Sequence, residues 1–262
     1  MKSITEFQEF KQKGRPISMV TCYDYLSARM ISQSDIDAVL VGDSAAMVMH
    51  GFRNTVNAGL EMMEFHVSAV ARGLAGNLIV ADMPFLSHLK GKLPLMEGVD
   101  RLMKAGANAV KIEGAGLTAK AISYLVKSDV PVMGHLGLTP QSVNKFGGFR
   151  LQGKENGQRT RIMEDARILE DAGVFAIVLE MIPADLAGEI TRSITVPTIG
   201  IGAGNGTSGQ ILVWHDLLGM NPGFEPRFVR KYIDGASMIK NALNQYNADI
   251  KAGSFPAQKE SY

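Results

Sequence analysis

Short runs of apolar residues alternate with longer segments of helical periodicity along most of the chain. Eight runs, rich in Val, Ile and Leu, cover residues 17–22, 38–42, 78–81, 109–112, 131–134, 176–179, 197–201 and 210–214. Strands that are covered on both faces of a parallel sheet have this nearly continuous apolar character. Strand–helix alternation repeated eight times predicts a closed (β/α)8 TIM barrel, with a doubly wound open sheet as the structural alternative.

The two ends of the chain add helices to this pattern. Residues 3–12 predict an extra N-terminal helix that plugs or caps the barrel, and residues 226–247 predict a long helix near the other end. No low-complexity linker divides the sequence, which predicts one barrel domain over residues 1–262.

Composition excludes several functional classes. The chain has 27 Lys and Arg against 26 Asp and Glu, a formal net charge of +1, so nucleic acid and acidic membranes are not expected partners. The N-terminal residues lack the apolar stretch of a signal peptide, and no window resembles a membrane helix. We therefore expect a soluble cytoplasmic enzyme. Cys22, the single cysteine, lies in an apolar run that is typical of a small core residue.

Carboxylates close four of the predicted strands, at Asp43, Asp82, Glu113 and Glu180. The C-terminal ends of barrel strands form the face on which these folds carry out catalysis. Asp43 and Asp82 are candidate ligands of Mg²⁺ or another divalent cation, because hard cations bind carboxylate oxygens and keep several waters. Two such ligands would leave positions open for a 2-oxo acid. The alternative is that each acid caps the helix or turn that follows it.

Lys111 and Glu113 lie two residues apart on one predicted strand, so their side chains project to the same face. Lys111 is a candidate for binding a substrate carboxylate or a developing enolate oxygen, and Glu113 for pairing with it or supporting the metal. The alternatives are a mutually neutralising ion pair in the barrel and a Schiff-base role for Lys111, since a buried lysine can lose its proton.

Glu180 and His135 are candidates for proton transfer and substrate contact. Glu180 has apolar neighbours, which raise a carboxyl pKa towards the range of a general base; the alternative is a helix-start acid. His135 follows the fifth strand in a glycine-flanked segment and could donate to a substrate oxygen, or could be structural.

Two glycine-rich loops are further candidates. Residues 145–159 predict a lid that excludes water, because loops this long in compact domains are usually functional or disordered. Residues 199–206 are typical either of a phosphate cradle built from backbone N–H groups or of a tight turn that lets a substrate approach.

Seven segments, taken together and in order, resemble the ketopantoate hydroxymethyltransferase family. They are residues 41–44 (VGDS), 80–85 (VADMPF), 110–114 (VKIEG), 134–141 (GHLGLTPQ), 147–153 (GGFRLQG), 200–204 (GIGAG) and 213–219 (VWHDLLG). The chain departs from the family pattern at Ala45-Ala46, where Leu-Gly is usual, and at residues 54–58, where a sequence near Thr-Leu-Pro-Val-Thr is usual. It also has Ser208 where an aspartate is common.

The resemblance implies a phosphoenolpyruvate/pyruvate-like barrel enzyme of pantothenate biosynthesis. It implies transfer of a hydroxymethyl group from 5,10-methylenetetrahydrofolate to 3-methyl-2-oxobutanoate, through a metal-stabilised enolate, to give 2-dehydropantoate. It implies Mg²⁺ ligation by Asp43, Asp82 and Glu113, substrate contacts at Asp43, Ser44, Asp82, Lys111 and His135, and Glu180 as the catalytic base. It also implies a homo-oligomer, commonly a decamer.

Three other functions fit parts of the sequence. A metal-dependent lyase or mutase of the phosphoenolpyruvate/isocitrate-lyase type would use a Lys-Lys-Cys-Gly-His motif, and Cys22 lies in no such context. A class I aldolase would use Lys111 and would be trapped by borohydride. A catalytically inactive small-molecule-binding barrel would show no folate- and Mg²⁺-dependent turnover.

Overall fold

The structure is a computed structural model that describes residues 3–143, 147–148 and 150–262. The chain forms two compact units, Met1–Val213 and Trp214–Tyr262. The first unit contains a closed barrel in which each strand pairs in parallel with its sequence neighbours and β8 pairs with β1. Its strands are β1 Ile17–Thr21, β2 Ala38–Val41, β3 Leu78–Asp82, β4 Ala109–Glu113, β5 Val132–Gly137, β6 Ala176–Glu180, β7 Thr198–Ile201 and β8 Gly209–Leu212. All eight predicted strands and the barrel itself are therefore confirmed.

Helices lie between most of these strands, as the periodicity predicts, whereas β7 and β8 are joined by a loop. In the first unit the described helices are α1 Ile4–Gln12, α2 Tyr25–Ser32, α3 Ala45–Val48, α4 Leu60–Gly73, α5 Lys92–Lys104, α6 Thr118–Val126, α7 Asn156–Asp171 and α8 Ala184–Ser193. Short 3-10 helices cover Thr55–Asn57, Ser87–Leu89 and Pro140–Ser142. No helix in the described ranges is long and apolar enough to cross a membrane.

Apolar side chains fill the barrel, and α1 covers its N-terminal end. The buried cluster takes alternate residues from the strands, such as Ile17 and Met19 of β1, and it includes Phe7 of α1. The Phe7 ring packs edge-on against Phe175, 5.3 Å away, at the start of β6. The Lys11 ammonium donates to three backbone carbonyls just before β7, at 2.8–2.9 Å. The predicted N-terminal cap is therefore confirmed. Cys22 is buried, as expected, and burial raises the pKa of its thiol to about 12.

The second unit contains α9 Trp214–Leu217, α10 Gly235–Ala252 and a 3-10 helix Gln258–Glu260. The long helix begins later than the sequence prediction of residue 226, because its first turn is capped by Asp234. The Asp234 carboxylate accepts a hydrogen bond from the backbone N–H of Ser237 at 3.3 Å. Gly253 ends the helix with φ +67°, a left-handed conformation that favours glycine.

Candidate active site

Parallel pairing brings the predicted acids to one end of the barrel. The register places Asp82 beside Lys111 on the neighbouring strand and Glu113 beside His135 on the next. Glu180 lies at the end of β6, in register with Gly137 of β5. Because Asp82, Glu113 and Glu180 occupy the C-terminal ends of their strands and Lys111 and His135 lie beside them, the geometry supports the predicted shared catalytic face.

Asp43 and Asp82 are joined directly at the ends of β2 and β3. The backbone N–H of Asp43 donates to Oδ2 of Asp82 at 2.9 Å, and both carboxylates are buried. A Cβ atom at Gly42 would lie 2.8 Å from Ser44 Oγ, so a larger residue there would displace the Ser44 hydroxyl. The hydroxyl of Ser44 in turn lies 2.9 Å from the buried hydroxyl of Tyr23.

Lys111 is a buried ammonium surrounded by carboxylates. Its Nζ lies 2.9 Å from Asp82 Oδ1 and 4.0 Å from Glu113 Oε1. Burial alone would lower the pKa of Lys111, but the nearby Asp82, Glu113 and Asp43 carboxylates raise it overall. The side chain therefore stays charged. A Schiff-base lysine needs a neutral amine, so this environment does not favour that alternative.

His135 bridges Lys111 and Glu180 as a neutral ring. Lys111 Nζ donates to His135 Nδ1 at 3.1 Å. Because an ammonium has no lone pair, Nδ1 must accept, and the ring proton is on Nε2. Burial, reinforced by the Lys111 charge, lowers the pKa of His135. The Nε2 atom lies 3.2 Å from Glu180 Oε2. The angles at this contact are outside those of a directed hydrogen bond, so the interaction is mainly electrostatic.

Glu180 is the least buried of the four acids, with 15% of its side chain exposed. Burial raises the pKa of its carboxyl above the usual range, although His135 acts in the opposite direction. The next residue, Met181, has φ +44°, a left-handed conformation that is costly for a non-glycine residue. A carboxylate that is reachable, has a raised pKa and is fixed by strained backbone fits the properties of a general base.

The site has more negative charge than its own cation can balance. Among the described residues, four carboxylates lie around one charged lysine, Lys111, and the histidine is neutral. Burial, Asp82 and Glu113 raise the pKa of Asp43 well above its usual range. Burial also raises the pKa of Glu113 to about 7, against the effect of Lys111. A bound divalent cation would offset this excess of charge.

The donors present suit a cation that keeps part of its water shell. In the part of the chain that the structure describes, no group of three or more His, Cys, Asp and Glu side chains forms a ready metal cage. Mg²⁺, however, is commonly held by one or two carboxylates together with waters and substrate oxygens. Asp43 and Asp82 fit that requirement, and Glu113 Oε1 is buried without a hydrogen-bond partner beside them. The residues therefore fit the predicted cation.

Sequence reasoning missed two residues of this cluster, Gln141 and Tyr23. Gln141 donates from its side chain to Asp43 and from its backbone to Glu113. Tyr23 contacts Ser44. Each is a polar residue just beyond a strand end, which is a weak signal, because many such positions are ordinary turns.

The two glycine-rich loops differ in how far they can be described. In the segment 199–206, residues 199–201 belong to β7, and the rest lies in the loop before β8, where Gln210 Nε2 donates to the Gly204 carbonyl at 2.8 Å. The predicted lid, residues 145–159, includes residues 145, 146 and 149, which lie outside the described residues. Its last part is shorter than predicted, since α7 already begins at Asn156. The Gly153 N–H donates to Gln158 Oε1 at 3.0 Å and so ties the loop to this helix.

The closed (β/α)8 barrel has buried acids, a charged lysine and a neutral histidine towards the C-terminal ends of its strands. This arrangement is typical of the class of TIM-barrel enzymes, whose active sites lie at that face. Comparison with known proteins identifies the particular family. The family model of ketopantoate hydroxymethyltransferase matches residues 1–258. The chain belongs to this family, and it is a hydroxymethyltransferase of pantothenate biosynthesis.

Curated relatives match over essentially the whole chain. The 3-methyl-2-oxobutanoate hydroxymethyltransferase of Bdellovibrio bacteriovorus is 52% identical over 262 residues, which is 100% of both chains. The protein of the same name from Francisella tularensis subsp. novicida is 48% identical and covers 100% of this chain and 99% of its own. Among solved structures, a 2,3-dimethylmalate lyase aligns with a TM-score of 0.65 at 16% identity, over 100% of this chain and 92% of its own. That likeness shows the fold alone and confirms the predicted (β/α)8 TIM barrel.

Proposed function

We propose that the chain transfers a hydroxymethyl group from 5,10-methylenetetrahydrofolate to 3-methyl-2-oxobutanoate, giving 2-dehydropantoate, with Glu180 as the base. One observation carries this mechanism: the continuous series of contacts from Glu180 through His135 and Lys111 to Asp82. Its successive distances are 3.2, 3.1 and 2.9 Å. The series joins a candidate base to a candidate cation site.

Asp43 and Asp82, with Glu113 beside them, would hold Mg²⁺ or another divalent cation. When bound, the cation would supply Lewis-acid polarisation of the 2-oxo group and a template for the substrate carboxylate. The excess of buried carboxylates supports this assignment. The Ser44 hydroxyl, oriented by Tyr23, is a donor that can also contact the substrate carboxylate.

Glu180 would remove the proton from C3 of the oxo acid. Its raised pKa makes it a better proton acceptor at neutral pH than an ordinary carboxylate. His135 Nε2, 3.2 Å from Glu180 Oε2, would stabilise the ionised form of Glu180 electrostatically. The Lys111 ammonium stabilises the negative charge that develops on the enolate oxygen. The enolate carbon would then attack the methylene carbon of the folate and form the new C–C bond. Water would replace the folate nitrogen on that carbon, which gives the hydroxymethyl group and releases protonated tetrahydrofolate.

We further propose that residues 1–262 act as one functional domain and that the protein is a homo-oligomer, commonly a decamer in this family. The match of relatives over the full chain supports the first proposal. An apolar stripe on α10 supports the second. It consists of Ile239, Leu243, Tyr246 and Ile250, each 46–62% exposed. Their spacing of three and four residues places them on one face of the helix.

A turnover assay tests the proposed function. The purified protein, 3-methyl-2-oxobutanoate, 5,10-methylenetetrahydrofolate and Mg²⁺ are expected to yield 2-dehydropantoate, detected by mass spectrometry. Omission of the folate or addition of a chelator is expected to abolish product. Product formation that survives both omissions would contradict the proposal, as would the absence of product in the complete mixture.

A further inference from the structure

Gln141 makes three hydrogen bonds to residues at the ends of β2, β3 and β4, all of which are far from it in the sequence. Its side chain is buried, with 5% exposure. Its Nε2 donates to Asp43 Oδ2 and to the carbonyl of Met83, both at 2.9 Å. Its backbone N–H donates to Glu113 Oε2 at 3.0 Å. One residue of the segment after β5 is thus bonded to the ends of β2, β3 and β4.

The chemistry of these partners explains why an amide is present. A carboxylate and a carbonyl can only accept, so the group between them must offer two donors. A glutamine provides both from one NH₂ group and adds no charge. A lysine would add a positive charge beside the candidate cation, and asparagine is shorter by one carbon–carbon bond, about 1.5 Å. The fit is therefore specific to a neutral side chain of this length.

Hydrogen bonds fix one oxygen on each of three carboxylates, and Gln141 makes two of these bonds. Asp43 Oδ2 is held by the Gln141 side chain and Glu113 Oε2 by its backbone. Asp82 Oδ2 is held by the backbone N–H of Asp43. The other oxygen of Glu113 has no hydrogen bond, and the other oxygen of Asp82 faces Lys111. Gln141 therefore determines which oxygens of Asp43 and Glu113 remain free to face a ligand.

We propose that Gln141 is a positioning residue that orients Asp43 and Glu113 for divalent-cation binding. This inference rests on the cation site of the proposed function and deepens it by adding the residue that holds the acids in place. Hydrogen-bond partners of metal ligands typically change metal affinity about 10–100-fold when they are removed. Gln141 would not contact the cation or the reacting atoms itself; it would act through Asp43 and Glu113.

The test measures binding of Mn²⁺ alone to the metal-free full-length protein by electron paramagnetic resonance. Gln141→Met keeps the length and the backbone N–H but removes both side-chain donors. We expect its Mn²⁺ affinity to fall about 10–100-fold and the Mg²⁺ concentration for half-maximal turnover to rise in parallel. Gln8→Met is the matched control. Gln8 of α1 donates one hydrogen bond from its side-chain amide to the Thr195 carbonyl, and it makes no bond to the acids. Its Mn²⁺ affinity should equal that of the wild type.

The outcomes separate the inference from the proposed function. If the wild type binds Mn²⁺ and folded Gln141→Met binds it equally well, the positioning role is wrong while the cation site stands. A lower melting temperature with unchanged affinity has the same meaning, since it shows a purely structural role. If the wild type itself binds no Mn²⁺, the cation site fails and the inference fails with it. If Gln141→Met does not fold, Gln141→Asn replaces it, and unchanged affinity in that variant overturns the proposal.

Discussion

At the scale of single residues, the site depends on opposed shifts of proton affinity. Burial raises the pKa of Glu180 and lowers that of His135, so that one side chain becomes a better proton acceptor and the other stays neutral. Carboxylates keep Lys111 charged in spite of its burial. Pairs of titratable groups whose environments shift their pKa values apart are typical of acid–base sites.

Replacement of Glu180 by glutamine should separate activity from stability. A carboxyl whose pKa is higher in the folded than in the unfolded state loses its contribution to stability as pH rises through the folded-state pKa. Ionised Glu180 therefore destabilises the metal-free protein at pH 8. We expect Glu180→Gln to raise the melting temperature there and to lower kcat by about 10²–10⁴-fold.

The melting temperature is measured in a chelator, at pH 8 and at pH 4. The gain in stability should shrink at the lower pH, where Glu180 is protonated in the wild type as well. A Glu180→Gln protein that is less stable than the wild type at pH 8 would show that the carboxylate is not under an electrostatic penalty.

At the scale of secondary-structure elements, the sequence predicts the structure correctly where an apolar run is considered together with the residue that ends it. Continuous apolar runs that end in a carboxylate predicted both the strands and the location of Asp43, Asp82, Glu113 and Glu180. The start of α10 was misplaced, because a single cap, Asp234, decides it. Gln141 had no local signature, since its partner Asp43 lies 98 residues away. Its role depends on tertiary contacts that no periodic pattern encodes.

The N-terminal helix supplies a prediction at this scale. Phe7 is fully buried at the N-terminal end of the barrel, whereas Phe65 of α4 is 75% exposed. We expect Phe7→Ala to reduce the free energy of unfolding by roughly 3–5 kcal/mol, because it leaves a cavity in the core. Phe65→Ala, the matched control, should change it by less than about 0.5 kcal/mol.

Urea denaturation measures both variants. Because Phe7 lies at the end of the barrel opposite the acids, folded Phe7→Ala should retain the turnover of the wild type at low temperature. Equal stability of the two alanine variants would show that α1 does not contribute to the barrel core.

At the scale of the whole molecule, nearly balanced charge and a partly apolar surface fit an enzyme for small molecules that associates with copies of itself. The formal net charge of +1 provides little electrostatic repulsion between chains. The α10 stripe exposes large apolar side chains along one face of a helix. Contiguous exposed apolar surface commonly marks an interface between proteins.

Light scattering coupled to size-exclusion chromatography tests this association. We expect a mass several times the 28.3 kDa of one chain. The double change Leu243→Glu and Tyr246→Glu should lower that mass, because it places charge in the stripe. Asn241→Glu, on the opposite side of α10, should leave the mass unchanged. A wild-type protein that elutes as a monomer would refute the proposed oligomer.

Exchange of deuterium into C3 of 3-methyl-2-oxobutanoate, measured by nuclear magnetic resonance in the absence of folate, tests whether Glu180 is the base that removes this proton. This measurement isolates proton removal from the later transfer step. With Mg²⁺ present, the wild type should exchange the C3 proton, Glu180→Gln should be slower by about 10²–10⁴-fold, and Glu170→Gln on α7 should match the wild type. Exchange by Glu180→Gln at the wild-type rate would contradict the account, because proton removal would then not need the carboxylate that faces His135.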